Sequence, residues 1–404
     1  MIVLGDISGI QNFVFDVAHE GGGQARRLRA RSFFVQTLAE AGALRLLQAL
    51  HWPIDEQHFP ISAAGRFLLV GPTVEDADQI LAHEQAEMNR WLLSELTGDV
   101  RLSLAWSAGK GRERNLYFAT KKNLEAAQLR PWSSVAIEKI GPSSTWNPAQ
   151  LVLDPLDRPC SVCRKRRATQ SETDADSGQQ RDVCSLCHRM LALGRQLPRA
   201  QWIVFSRSAG NGDLSAFGLA IRAVQGDAVE NMDSTIAVTN LTRPDEAPEG
   251  FPRSKLLVRR LARYVPEGRD GPATFREIAQ RARGDAQLGV LKADGDGLGA
   301  FFDRIIQDAP DLQEYSRASE LFDRFSADAL DSEIRKHDRW RFVYTVFSGG
   351  DDLLFVGPWD VMVDFALRIR QMFAERFAQF DLTISAGLAV VKPNWPIKRA
   401  VALA

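Results

Sequence analysis

Four aspartates stand at glycine-rich strand ends in the last third of this sequence, in DGDGLG (Asp294–Gly299) and SGGDDLLFVGP (Ser348–Pro358). Asp351 and Asp352 are adjacent, and neighbouring carboxylates repel. Gly-Gly between the β-prone runs VYTVF and LLFVG is a hairpin signal that needs no function, and two aspartates there could simply solvate the turn. A turn that needs only polarity is served equally by Asn or Ser, so the paired charge raises a second reading, a bound cation. Two carboxylates at a hairpin tip, joined by Asp294 from another strand, make the oxygen-only donor set of Mg²⁺ or Mn²⁺, with nucleotide phosphates completing the shell. Asp294 is expected to be the most direct ligand, and Asp296 is expected on the opposite face unless the glycines bend the chain. Gly295 and Gly297, with Ser348, Gly349 and Gly350, allow close backbone approach to a triphosphate. DGDGLG fails as an EF-hand, because Leu298 and Ile305 fill its fifth and twelfth positions, and its glycine spacing is wrong for a dinucleotide fingerprint.

A second chemistry lies in the four cysteines, Cys160, Cys163, Cys184 and Cys187. Two C-x-x-C pairs about twenty residues apart have zinc-ribbon spacing, which brings four thiolates into a tetrahedron. Two vicinal disulfides are the competing reading, disfavoured because such a bridge closes too small a loop to stabilise much. A closed four-Cys site leaves no open coordination position, so this zinc is expected to be structural.

The elements that position the aspartates are duplicated. SAAGRFLLVGP (Ser62–Pro72) aligns without a gap on SGGDDLLFVGP, and IVLGDISGIQNF (Ile2–Phe13) corresponds to VLKADGDGLGAF (Val290–Phe301). Each half has a helix-period stretch before the hairpin (residues 31–50 and 315–336), another after it (77–96 and 361–380), and a closing β-like run (100–109 and 382–391). Strand, helix, hairpin, helix, strand is the ferredoxin-like or palm order, an α+β fold that sets the first strand beside the hairpin. The expected organisation is a first palm at 1–140, a zinc-bearing region at 141–273 and a second palm at 274–404, with palm–palm contact. The first copy has Gly65 and Arg66 in place of Asp351 and Asp352, so closing the hairpin does not need the carboxylates. Asp6, Ser8 and Gly9 keep the first-half counterpart of the strand end, and Arg66 suits phosphate better than metal.

The chain has 404 residues, 45% of them hydrophobic and 25% charged, enough for two or three domains. A formal net charge of −1 argues against binding nucleic acid by bulk charge. Local clusters are the alternative: Arg26, Arg27, Arg29 and Arg31 oppose the dipole of a helix start and favour an anionic partner, while Arg164–Arg167 suits loop solubility and RNA contact equally. His337–Asp338 has no second His or Asp cluster and is surface chemistry. With no signal peptide and no apolar run of membrane-spanning length, the chain is read as cytoplasmic and free of membrane.

GDISGIQNFVF (Gly5–Phe15), LRARSFF (Leu28–Phe34), the paired C-x-x-C, LKADGDGLG (Leu291–Gly299), SGGDD (Ser348–Asp352) and LTISAGLAVV with P-x-x-R-A (Pro396–Ala400) resemble, in order, the large palm-domain subunit of type III CRISPR effector complexes, subtype III-A. GGDD alone would also suit diguanylate-cyclase-like domains. The resemblance implies synthesis of cyclic oligoadenylates from ATP, with Asp351 and Asp352 as catalytic carboxylates and Asp294 at the first-strand metal position. It implies one ATP in each palm, activation by target RNA paired to a guide RNA, and other subunits of the complex as partners. The sequence starts at the first palm without the family's HD nuclease motif, so no DNase activity is expected. It ends within what reads as the helix after the last strand, so the helical C-terminal domain is expected to be absent. A nucleotide-binding scaffold without turnover is the alternative from another class.

Overall fold

The computed structural model describes residues 1–404 except 16–22, 64, 111, 141–142, 152–155, 174–177, 208–213, 227–233, 270, 309–311 and 351. In the first half, β1 (Ile2–Ser8) is followed by α1 (Ile10–Phe15), α2 (Gln24–Ala49), the hairpin β2 (Ile61–Ala63) and β3 (Arg66–Val70), α3 (Ala77–Leu96), β4 (Arg101–Ser107) and α4 (Glu113–Gln128). The antiparallel sheet runs β2-β3-β1-β4. α3 begins and ends where the sequence period places it.

The zinc region supplies the hairpin β5 (Gln170–Thr173) and β6 (Gln180–Val183) and the helix α5 (Ser185–Gln196). A four-stranded sheet not anticipated from sequence follows: β7 (Trp202–Ser206), β8 (Leu214–Ala216), β9 (Leu219–Val224) and β10 (Thr235–Asn240), in the order β8-β9-β7-β10. This strand order repeats that of the first half. Its strands are short, and the sequence between them carries no period-3.6 stretch like those that mark the two outer halves.

In the last part, β11 (Leu288–Gly295) leads through α6 (Leu298–Asp308), α7 (Gln313–Asp323), a π-helical turn (Arg324–Ala329) and α8 (Leu330–Lys336) to the hairpin β12 (Tyr344–Gly349) and β13 (Asp352–Pro358). Then come α9 (Trp359–Arg376), β14 (Ile384–Val391) and α10 (Ile397–Leu403), giving the sheet β12-β13-β11-β14. β11 opens on the apolar run Leu288–Leu291, buried on both faces, before Lys292 and Asp294 near its end. Leu291 and Ala293 pack with Phe355 and Phe365 under the helices of this half, while Leu288 and Val290 join a core shared with the first half.

α2 is the common axis of the molecule. Of its 26 residues, 20 are buried, as expected of a helix enclosed on every side rather than one presenting a single apolar stripe. It packs on the first sheet, on α5, on β8 and on β12. Gly194 of α5 sits so close that a Cβ there would lie 2.1 Å from the carbonyl oxygen of Arg26.

The arginines at the start of α2 are therefore not a solvated cluster awaiting an anion. Arg26, Arg27, Arg29 and Arg31 are all buried. Arg26 donates to the carbonyl of Pro272, Arg27 pairs with Glu172, and Arg29 donates to the carbonyls of Thr345 and Ala262. Arg31 donates to the carbonyl of Phe13 and to Cys187 Sγ, with its guanidinium over the Phe13 ring. Each charge is absorbed by a segment distant in sequence, an outcome that charge counting along one helix does not reveal.

Candidate functional site

Asp294 lies directly opposite Asp352 across the β11–β13 ladder. Directly opposed residues share a sheet face, so both carboxylates stand on the side turned toward the first half. Gly349 pairs with Asp352, and Gly350 stands in the turn between them. Gly350 has φ of 60°, the left-handed backbone that such a turn demands and that glycine adopts without strain. Asp351 lies outside the described residues.

Asp296 lies on the Asp294 side, which corrects the expectation of an opposite face: residues two apart along a strand share a face. β11 ends at Gly295, Gly297 turns with φ of 70°, and Asp296 accepts hydrogen bonds from Thr383 Oγ1 at 2.6 Å and Ser385 Oγ at 2.7 Å. Ser385 is the cross-strand neighbour of Asp294. The bond from Thr383, then that from Ser385, holds the Asp296 carboxyl below the usual carboxylate range. No sequence signal marked Thr383 and Ser385 as its partners.

The first half repeats this register with opposite chemistry. Asp6 faces Arg66 as Asp294 faces Asp352. Asp6 accepts from Arg66 Nε at 2.7 Å, Gln128 Nε2 at 2.8 Å and Ser8 Oγ at 2.9 Å. These bonds use both oxygens, and Arg66 supplies the balancing charge in place of a metal. Gly9 has φ of 88°, and a Cβ there would meet the carbonyl oxygen of Asp99 at 2.1 Å, so only glycine fits. Asp6, Gly9 and Arg66 line a shallow hollow.

Both hairpin turns reach one cavity of about 250 Å³. Gly65 borders it from the first hairpin, Gly349 and Asp352 from the second, and Phe15, Phe33 and Val346 contribute apolar wall. Its size is near the lower end, roughly 300 Å³, for small-molecule pockets. Ser32 and Gln36 of α2 also face it; LRARSFF was singled out in sequence for its arginines, and these neighbours were missed. Ser348 lines the cavity, but its hydroxyl donates to the carbonyl of Ser326 at 2.7 Å. The donor set on the Asp294–Asp352 face, oxygen only and partly open to solvent, fits a hard divalent cation.

The sulfur atoms of Cys160, Cys163, Cys184 and Cys187 lie within 4.8 Å of one another, and all four residues are buried and unbridged. Thiolates about 2.3 Å from a tetrahedral Zn²⁺ stand about 3.8 Å apart, and Cys163 and Cys184 Sγ are separated by 3.8 Å. Hydrogen bonding from Cys160, then from Cys184 and Cys187, holds the Cys163 thiol well below its ordinary range, against the effect of burial. The cluster fits zinc. The adjoining basic run is divided: Lys165 pairs with Asp99 at 2.5 Å and Arg166 donates to the carbonyl of Glu95, both contacts to the first half, while Arg164 and Arg167 are exposed. His337 pairs with Glu333 and stacks edge-on to Trp340, as surface chemistry predicts.

Residues 1–137 match the family model for Csm1 subunit domain B, and residues 287–404 match that for the second palm domain of Cas10/Cmr2. Among curated proteins, the subtype III-A Cas10/Csm1 single-strand-specific deoxyribonuclease of Thermococcus onnurineus is 27% identical over 99% of this chain and 52% of its own length. That of Mycobacterium tuberculosis is 27% identical over 97% of this chain and 50% of its own. The chain thus spans about half the length of these relatives. Csm1–Csm4 cassettes in complex with one ATP (22% identity, TM-score 0.75) and with cA4 (20%, 0.74) cover 100% of this chain and 51% of theirs, and share its fold. No helix among the described residues is long and apolar enough to cross a membrane. The chain is thus similar to Cas10/Csm1 proteins of subtype III-A, matching their domain B at one end and a Cas10/Cmr2 second palm domain at the other.

Proposed function

We propose that the chain is the cyclase part of a type III CRISPR interference complex, converting ATP to cyclic oligoadenylates when target RNA pairs with the guide. The observation that carries this reading is the cavity bordered by both hairpin turns, with Asp352 at its second-half border and Asp294 directly opposite Asp352 across the ladder. The equal strand orders of the outer sheets support two palm domains, at 1–140 and 274–404, flanking the zinc-bearing region at 141–273. Asp294, Asp352 and Asp351 would hold Mg²⁺ or Mn²⁺, and the four cysteines would hold zinc.

The 3′-oxygen of one ATP attacks the α-phosphorus of the other, a new P–O bond forms, and the bond to the departing pyrophosphate breaks. When bound, the divalent cations supply charge neutralisation on the phosphates. The chain's own part is orientation: Gly349 and Gly350 leave room for phosphate at the hairpin, and Gly295 and Gly297 do so at the strand end. In the first half Arg66 offers a cation where the second offers a carboxylate, which suits a nucleotide held without metal, beside Asp6, Ser8 and Gly9. Binding of ATP and cyclic tetra-adenylate by the Csm1–Csm4 cassettes supports this substrate class. The same cassettes support a Csm4-type subunit as a partner, and the deoxyribonuclease activity in the relatives' names belongs to those longer proteins. A cytoplasmic site of action follows from the same reading.

Labelled ATP with Mg²⁺ or Mn²⁺, offered to the assembled complex with target RNA, tests the proposal. Oligoadenylate and pyrophosphate are expected from the wild type and not from Asp351→Ala with Asp352→Ala. Undiminished synthesis by that double variant refutes it. ATP bound without pyrophosphate identifies a nucleotide-binding scaffold, and product from GTP alone identifies a diguanylate-cyclase-like enzyme.

A further inference from the structure

Ser348 borders the cavity yet turns its hydroxyl inward, to the carbonyl of Ser326. Both residues are buried. Ser326 belongs to the π-helical turn 324–329, where the N–H of Leu330 reaches back to the carbonyl of Phe325. π turns inside helices are frequent at functional sites. This one is gripped by the strap of chain at 259–264: Arg260 pairs with Asp328 at 2.7 Å, and Asp331 accepts from the backbone N–H groups of Arg263 and Tyr264, both at 2.9 Å. The carbonyl of Tyr264 then accepts from the N–H of Thr345, and Arg29 donates to the carbonyls of Thr345 and Ala262. The circuit closes on β12, the strand that leads into the Gly-Gly turn, just before its bulge between Thr345 and Phe347. Ser62 holds the twin register position opposite Phe67, but α2 continues unbroken to Ala49, so the wide turn accompanies only the hairpin that carries carboxylates.

We infer that Ser348 is a positioning residue: through the Ser326 carbonyl and the 259–264 strap it fixes the hairpin that sets Asp352 opposite Asp294. This rests on the nucleotidyl-transfer reading above for its kinetic consequence, but not for its effect on metal affinity.

The test compares Ser348→Ala, Ser348→Thr and Asp331→Asn in the zinc-loaded full chain and in its RNA-activated complex. Mn²⁺ affinity is measured by titration, and kcat and KM for ATP are measured in the complex. Loss of a supporting hydrogen bond behind metal ligands typically costs about 10- to 100-fold in affinity or rate. Ser348→Ala is therefore expected to weaken Mn²⁺ binding about 10-fold or more and to lower kcat with little change in KM, Ser348→Thr to recover both, and Asp331→Asn to act in the same sense as Ser348→Ala. Wild-type Mn²⁺ affinity in Ser348→Ala overturns the inference, as does a raised KM at unchanged kcat, which would make Ser348 a nucleotide contact. If Ser348→Ala does not fold, an unchanged Mn²⁺ affinity in Asp331→Asn overturns it instead. A wild type that binds Mn²⁺ but makes no product refutes the proposed reaction and leaves the positioning role to the affinity measurements.

Discussion

Asp6 and Asp294 occupy the same register position in two sheets of equal strand order, but one faces Arg66 and the other Asp352. Neutralising them is expected to move stability in opposite directions. Directly opposed residues on antiparallel strands have Cβ atoms about 5 Å apart. Two unit charges at about that distance interact by about 3 kcal/mol at an effective dielectric constant of about 20 and by about 0.8 kcal/mol at about 80. Asp294 is exposed and Asp352 half-buried, so solvent screening sets the lower part of that range, and Asp294→Asn relieves about 1 kcal/mol in protein without divalent metal. Asp6 is buried and bonded to Arg66, Ser8 and Gln128. Losing its charge-assisted bond costs about 1.5–3 kcal/mol, reduced by the water that the exposed end of Arg66 retains. Urea unfolding of zinc-loaded, desalted protein measures both changes. Adding Mn²⁺ to about 100 times its dissociation constant stabilises the wild type by about 2.7 kcal/mol and Asp294→Asn by far less. An Asp294→Asn variant less stable than wild type in metal-free buffer, or equally stabilised by Mn²⁺, refutes the assignment of these carboxylates to metal. An Asp6→Asn variant as stable as wild type refutes the compensating role of Arg66.

Three further outcomes follow from the interior. Glu172→Ala leaves Arg27 buried without its carboxylate and is expected to cost about 3–5 kcal/mol, insensitive to salt and without effect on RNA affinity; a specific loss of RNA binding in a well-folded variant would restore the arginines to an external role. Glu40 and Asp323, on either side of the buried Arg259, are both pushed up to about 7, by burial first and against the attraction of that arginine. A carboxyl raised on folding stabilises fully below its unfolded value, and that contribution is lost as pH rises through about 7. Glu40→Gln should therefore gain on wild type between about pH 5 and 8, by at most about 1.4 kcal/mol per pH unit, and a gap that stays constant or closes in urea midpoints contradicts this. Metal analysis is expected to find one zinc per chain, lost with Cys163→Ser together with the docking of α5 on α2; full zinc content in that variant would remove Cys163 from the site.

The hairpins, the long helices of the outer halves, the cysteine cluster and the facing of Asp294 and Asp352 were all legible in sequence, because repeat, period and spacing are local quantities. The fate of the α2 arginines was not, since Pro272, Glu172, Ala262 and Thr345 absorb them from far along the chain. The sheet at 202–240 was missed because the sequence between its short strands carries no helical period to frame them. The residue type of Ser348 suggested a phosphate contact; only the π turn, invisible in an otherwise continuous helical pattern, shows where its hydroxyl is spent. Asp296 keeps to the Asp294 side by the two-residue alternation of a strand, which was readable; its holders Thr383 and Ser385 are two hydroxyls with no signature of their own.

The enclosure of α2 bears on how the chain is made. The helix is complete within the first fifty residues, whereas Ala262, Pro272 and Thr345, which cap its arginines, are translated more than two hundred residues later. At about 5–20 residues per second, its apolar and cationic faces wait on the order of ten seconds or more at the ribosome. Long-range closure of this kind slows folding and exposes sticky surface. Chaperone dependence during synthesis, and insolubility of the first half expressed alone, are the costs of building both sheets around one early helix.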